Sequence, residues 1–185
     1  WVKRKVQIWR SYLEVFSHAE KELIIMCSYF IPGLLYRRKL AQAVKKGVQV
    51  KVILAGKSDI KMAKHAERFL YDWMLKNKIS IYEYQKTVLH AKVATCDGHW
   101  TTIGSYNVNN ISAYASLELN LDIRDKSFAA VTNATMKKII LENCKEITAD
   151  NYLNNVSLIR RLWQRISYGI FNTILKLFTF YFRQE

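Results

Sequence analysis

From Leu23 to Tyr84 the chain alternates short apolar runs with longer stretches of helical period, and few folds tolerate that alternation. "LIIMCSYFI" has the unbroken apolarity of a buried strand and is punctuated by Pro32-Gly33. "LLYRRKLAQAVKKG" reads as a helix stopped by Gly47. "VQVKVILA" alternates as a strand, and "GKSD" is a loop expected to supply a helix-capping residue. "IKMAKHAERFLYDWMLKNK" predicts one long amphipathic helix, followed by the strand "ISIYEY". With a further amphipathic helix ahead of it, marked by Val6, Trp9, Leu13 and Phe16, this β-α-β-α-β order predicts an α/β fold with parallel pairings.

From Val88 the pattern changes. "VLHAKVATC", the turn "DGH" and "WTTIGSY" predict a hairpin, which makes the sheet mixed. "NVNNISAYA" reads as a loop, "SLELNLDI" as a strand and "KSFAAVTNATMKKIILENCKEI" as a helix. An apolar-basic segment begins at Val156, so the expected organisation is a catalytic domain over 1–150 and a basic amphipathic helix within 151–185. With 185 residues, half of them apolar, the chain can bury a core without metal or disulfide support.

Lys and Arg number 29 against 15 Asp and Glu, a formal charge of +14. That excess favours polyanionic partners, either nucleic acid or an anionic membrane surface, and does not choose between them. The cysteines Cys27, Cys96 and Cys144 are odd in number and share no metal-ligand spacing, so a reducing compartment is expected, with Cys27 as a small core residue. The chain starts at Trp1 without a signal-peptide pattern, and a fragment, processed product or trimmed chain is expected.

The chemistry-bearing residues concentrate in "LHAKVATCDGHWTTIGSYNVNN", 89–110. On an extended strand His90 and Lys92 share one face, while Leu89, Ala91, Val93 and Thr95 share the other, expected to be the core side. An imidazole can attack or protonate at phosphorus while a neighbouring ammonium neutralises phosphate oxygens. His-x-Lys by itself is equally a solvated strand face. Around it stand Asp97 and, on the partner strand, Gly104, Ser105 and Asn107; the glycine admits a ligand and the other two offer neutral hydrogen-bond donors. Glu118, expected on the next strand, can orient an imidazole.

"HAKVATCDGHWTTIGSYN" resembles the H-x-K-x4-D-x6-G-S-x-N motif of the phospholipase D superfamily, with every signature position filled. The resemblance runs from about Val6 to Asp125. Through "SYFIPG", "KKGVQVKVILAGKSD" and "LELNLDI" it is most similar to the second catalytic half of bacterial cardiolipin synthases. It implies a phospholipase D-like half, a mixed sheet flanked by helices, working without metal or other cofactor. It also implies two-step phosphodiester exchange between two facing motifs: one histidine forms a phosphohistidine and the other protonates the leaving alcohol. By position His90, Lys92 and Asn107 match the phosphate-contacting set, with Ser105 close by. Glu118 matches the carboxylate that supports the histidine, and Asp97 the motif aspartate, which is expected to be mainly structural. Only one motif is present, since His18, His65 and His99 lack a lysine two residues on. The expected partner is therefore a second motif-bearing half, either from a missing N-terminal part of the chain or from a second copy.

In "SLIRRLWQRISYGIFNTILKLFTFYFR", Arg161, Arg165, Asn172, Lys176 and Arg183 form one polar helical stripe, with Trp163, Ile166, Ile170, Phe171, Ile174, Leu177, Phe178 and Phe182 around the remainder. The longest charge-free stretch, Ile166 to Leu175, has ten residues, short of the roughly 20 needed to span a bilayer. This suits either an anionic membrane interface, with Arg161, Trp163, Arg165 and Lys176 as membrane-binding residues, or a helix docked on protein. Three functions stay in play: a cardiolipin-synthase-type phosphatidyl transferase acting on anionic phospholipid, a homodimeric phosphodiesterase or nuclease acting on nucleic acid, and a non-enzymatic membrane scaffold. The first carries the expectation of a cytoplasmic protein bound peripherally to the membrane.

Overall fold

The apolar runs become the centre of a seven-stranded sheet. The computed structural model describes residues 6–181, with backbone only at 153 and 175–181. After helix α1 (Gln7–His18) come β1 (Glu22–Cys27), α2 (Leu34–Lys45), β2 (Gln49–Lys57), α3 (Lys61–Phe69), α4 (Tyr71–Lys76) and β3 (Ser80–Val88). The second part supplies β4 (Lys92–Cys96), β5 (Trp100–Gly104), α5 (Asn110–Tyr114), β6 (Asn120–Ile123), α6 (Lys126–Asn143), β7 (Cys144–Ile147), a π-helical turn (Ala149–Leu153) and α7 (Leu158–Tyr181). The sheet order is β6-β5-β4-β1-β2-β3-β7. β1, β2 and β3 pair in parallel and the remaining neighbours antiparallel, giving the expected mixed α/β sheet.

Both faces of the sheet are covered, which is why its central strands are apolar without alternation. Leu23, Ile25, Val50, Val52, Leu54 and Ile81 pack with Tyr12 and Phe16 of α1 and Tyr36 and Leu40 of α2. On the reverse face Ile24, Met26, Ile53 and Leu89 form a smaller core with Met136 of α6. Lys92 leads the strand face that continues as Ala94 and Cys96 into the larger core, whereas Leu89, Ala91 and Val93 belong to the smaller one. The expected division into one core face and one open face is corrected accordingly. His90 reaches solvent because it stands at the end of the sheet, just ahead of the paired part of β4, while Lys92, the first residue of that strand, is buried.

Further expectations are corrected. The long helix breaks at Leu70, whose αR backbone (ψ −8°) separates α3 from α4. No residue of "GKSD" caps α3: Ile60 is the N-cap residue and there is no side-chain cap. The segment read as one helix to Ile147 ends at Asn143 and becomes edge strand β7 against β3. "NVNNISAYA" contains α5, capped by the Asn109 side chain on Ser112 N. "SLELNLDI" is strand only from Asn120, leaving Glu118 in the preceding loop.

The turn between β4 and β5 carries the motif aspartate. Asp97 and Gly98 both have positive φ (51° and 68°), as the central residues of a type I′ turn require. His99 N–H closes the turn on Cys96 O at 3.1 Å, within a three-residue loop between the paired Cys96 and Trp100. The Asp97 carboxylate accepts the backbone N–H groups of Glu20, Lys21 and Glu22, each at 2.8 Å. It thereby ties the hairpin to the loop entering β1. Burial raises its pKa, but these bonds outweigh that and hold it below the usual carboxylate range.

Candidate active site

Strand β1 ends opposite the start of β4, with Cys27 paired to Lys92. The next residue, Ser28, donates its N–H to Ala91 O and lies 3.5 Å from Lys92 Nζ through its Oγ. This clamp brings the histidine and lysine to the ends of the parallel strands, where α/β sheets open to ligands. His90 is exposed, while Lys92 is only 8% exposed.

Lys92 Nζ stands 2.9 Å from His90 Nε2. An ammonium has only protons to donate, so the contact needs a free lone pair on Nε2, the form of imidazole that attacks an electrophile. Burial lowers the Lys92 pKa, while Cys27, Glu118 and Asp59 act against that shift. The result is a cation with little water around it beside an imidazole, an arrangement suited to an incoming phosphodiester.

Asn107 follows β5 and crosses back to β1. Its Oδ1 accepts Tyr29 N at 3.3 Å and lies 3.5 Å from Cys27 Sγ. With the carbonyl oxygen spent on donors, the amide Nδ2 is left as the group able to donate to a ligand. Asn109 locks the same loop, donating Nδ2 to Tyr29 O at 3.2 Å while capping α5.

Ser105 and Glu118 sit together at the rim. The Ser105 hydroxyl donates to the Glu118 carboxylate and accepts Leu119 N at 3.0 Å. Glu118 was expected to support the imidazole; its side chain instead takes the serine hydroxyl and reaches the lysine through its charge alone. Asp97 lies at the other end of β4, on backbone N–H groups, and is not brought to the histidine.

Two residues not singled out from the sequence join the site. Tyr29 donates its hydroxyl to Asp59, and Asp59 is near enough to His90 for the imidazole to help lower its pKa, after the larger effect of the Tyr29 bond. Burial, and then Asp59, push the tyrosine up to about 12. Both follow parallel strands, and the rule that ligands gather at the carboxyl ends of such strands was the available signal.

Behind this loop is a buried charge network. Glu67, 2% exposed, accepts Phe30 N at 3.1 Å and Lys64 Nζ at 2.7 Å. Lys64 also pairs with Glu83 at 2.9 Å, which in turn takes Arg68 and the Tyr71 hydroxyl. The backbone next to Tyr29 is therefore held by a fixed carboxylate.

The tail helix α7 packs along α3, with Tyr168 stacked on Phe69 at 4.6 Å between ring centroids. Gln164 and Ser167 are buried there, while Leu158, Ile159, Leu162, Trp163, Ile166, Ile170 and Ile174 are exposed. At 100° per residue the apolar set faces away from α3, and exposed Arg161 and Arg165 run along one flank. The side chains of Lys176, Leu177 and Phe178, and all of Phe182 and Arg183, lie outside the described residues. No helix among the described residues is long and apolar enough to cross a membrane.

Comparison with known proteins gives this arrangement its relatives. Cardiolipin synthase B of Salmonella typhi is 34% identical over 163 residues, covering 88% of this chain and 38% of its own. Cardiolipin synthase B of Escherichia coli (strain K12) is 31% identical over the same length and shares. The chain thus spans well under half of the curated relatives it matches. Among solved structures, the phospholipase D family member Nuc from Salmonella typhimurium superposes with a TM-score of 0.64 at 17% identity, covering 76% of this chain and 90% of that one. Phosphatidylserine synthase from Haemophilus influenzae does so at 0.68 and 14% identity, covering 92% of this chain and 44% of that one. At such identities they speak for the fold, which is phospholipase D-like. The family described as "Cardiolipin synthase, PLD-like domain" matches residues 12–140. Over most of its length, then, this chain is a phospholipase D-like domain of the cardiolipin synthase family.

Proposed function

We propose that the chain supplies one half of a phosphatidyl-transfer site of cardiolipin-synthase type. The observation that carries this reading is the contact of His90 Nε2 with Lys92 Nζ, 2.9 Å apart, beside an Asn107 amide whose oxygen is already engaged. In the first step the imidazole attacks phosphorus of an anionic phospholipid, and the bond to the leaving alcohol breaks as that oxygen takes a proton. The acceptor alcohol then displaces the imidazole from phosphorus and loses its own proton. Lys92 and Asn107 hold the non-bridging oxygens through both steps, with Ser105 and Glu118 at the rim. The exchange of protons with the alcohols falls to a histidine on a second motif-bearing half.

A second half needs a surface to meet. Leu117, Leu119 and Leu121 are 79%, 82% and 64% exposed, and they flank Glu118 at the rim of the site. Such a row beside a half-built site suits a partner carrying the other motif. The test offers the protein, with its second half present, both labelled phosphatidylglycerol and single-stranded DNA. Lipid exchange is expected; cleavage of DNA with no lipid product would refute the reading.

The domain is read as peripheral to a membrane, with α7 resting on α3 by its Gln164 face and turning Trp163, Ile166 and Ile170 outward. The buried Gln164 supports the protein-docking use of this helix, and the exposed Trp163, Ile166 and Ile170 support a lipid-facing side. Replacing Trp163, Ile166 and Ile170 together by serine is expected to release the protein from anionic liposomes in a flotation assay without changing its thermal midpoint. Unchanged flotation would mean that α7 is not the membrane contact.

A further inference from the structure

A cavity of about 330 Å³ lies under α7, lined by residues of α2, α3, α4 and α7. It is at the other end of α3 from Asp59, so the nine residues of that helix separate it from the histidine by about 13 Å at the usual helical rise. Arg37 and Arg165 reach its wall, with Trp73 beside them, and Arg161, which has an interaction of its own, lies alongside. Arg68 lines it too, but its guanidinium is committed to Glu83 at 3.0 Å. The one carboxylate on the wall, Asp72, is paired with Lys76 at 2.8 Å. The Arg37 guanidinium stacks 5.8 Å from the Trp73 ring centroid, and its Nε is buried with no hydrogen-bond partner among the described residues. A buried guanidinium N–H without an acceptor is costly, and a bound anion supplies one.

We infer that this cavity is a second anion site, distinct from the histidine–lysine site, and that it takes the phosphodiester headgroup of an anionic phospholipid. The lipid source is argued from continuity. Arg161 and Arg165 border both the cavity and the exposed apolar face of α7, so a headgroup between the arginines leaves its acyl chains along Ile166 and Ile170. That part rests on α7 facing a membrane; the anion chemistry does not. Arg37 and Arg165 offer forked donors matched to phosphate oxygens, and Trp73 and Phe69 give the wall an apolar side for the glycerol carbons.

The test uses the full chain carrying Lys92→Ala, so that lipid bound at the histidine site does not mask the second one. Titration calorimetry with monomeric dihexanoyl phosphatidylglycerol is expected to show one saturable site. Arg37→Gln with Arg165→Gln should weaken it at least tenfold, with Arg37→Lys falling between. Circular dichroism and thermal melting check that the variants are folded. Binding unaffected by the arginine changes overturns the proposal. Inorganic phosphate binding as tightly as the lipid overturns its lipid part and leaves a free-anion site. Flotation of the α7 serine variant reports separately on the membrane reading: unchanged flotation, with lipid titration intact, removes the membrane and keeps the site.

Discussion

His90→Ala is expected to abolish phosphatidyl transfer, and Lys92→Ala to slow it about 10²–10³-fold, the loss typical of one preorganised electrostatic stabiliser. The two should differ in their structural consequences. His90 is exposed and its side-chain contact is with Lys92, so its removal should leave stability within about 0.5 kcal/mol. Lys92 is buried against Ser28 and beside Cys27, and its aliphatic stem packs there, so truncation should also cost some stability. Lys92→Arg is not a rescue, because a planar fork does not fit where a compact ammonium meets the imidazole. Transfer rates under saturating lipid, with thermal midpoints for each variant, check this. Near-wild-type turnover in either alanine variant would overturn the assignment of nucleophile and phosphate cation.

The largest stability effect is expected away from the chemistry. Lys64→Met removes the cation shared by Glu67 and Glu83, leaving two buried carboxylates close together with Arg68 on only one of them. Breaking a buried ion pair by removing one partner costs about 3–5 kcal/mol, and for a domain of this size that is roughly 6–20 °C in thermal midpoint. The pH dependence has a definite sign. Burial already raises the Glu67 pKa against the pull of Lys64, and without the lysine it must rise further. A carboxylate whose folded pKa exceeds its unfolded value destabilises above the unfolded value, about 4.3 for Glu, and the penalty fades as the pH falls through the folded pKa toward it. Urea denaturation near neutrality and again near pH 5 should therefore show the deficit relative to wild type narrowing on acidification. A loss under about 1 kcal/mol, or one independent of pH, would mean that the network is solvated rather than sealed.

How far the sequence led is clear from particular residues. The β1–β3 strands and the helices between them were legible because burial on both faces leaves continuous apolar runs, and helices of mixed character interrupt them. The motif was legible because His90, Lys92, Asp97, Ser105 and Asn107 lie in or directly beside one hairpin, so a short stretch of chain holds the whole signature. The sequence failed where tertiary partners decide. Residues 144–147 extend a helical pattern, and only the unpaired edge of β3 makes them a strand. Leu117 and Leu119 alternate as a strand would, yet strand pairing to β5 begins at Asn120. The break at Leu70 has no glycine or proline to announce it; beyond it, the Tyr71 hydroxyl reaches Glu83. Glu118 carries a carboxylate that could have served the imidazole, and nothing in its spacing indicated that the Ser105 hydroxyl would take it.

The sheet order also sets a sequence of assembly. β1 is a central strand, with β2 on one side and β4 on the other. Its first neighbour follows after one helix, whereas the second comes some seventy residues later in the register Leu23 to Cys96. As the chain leaves the ribosome, β1 through β3 can gather while one long edge of β1 stays open to mispairing with other chains. Closure waits for the β4–β5 hairpin, whose I′ turn brings Asp97 onto the β1 entry loop and Lys92 onto the β1 exit in the same event. The His90–Lys92 pair is therefore brought together by the step that removes the exposed edge, and a nascent chain halted short of that hairpin would be sticky and would lack the proposed site.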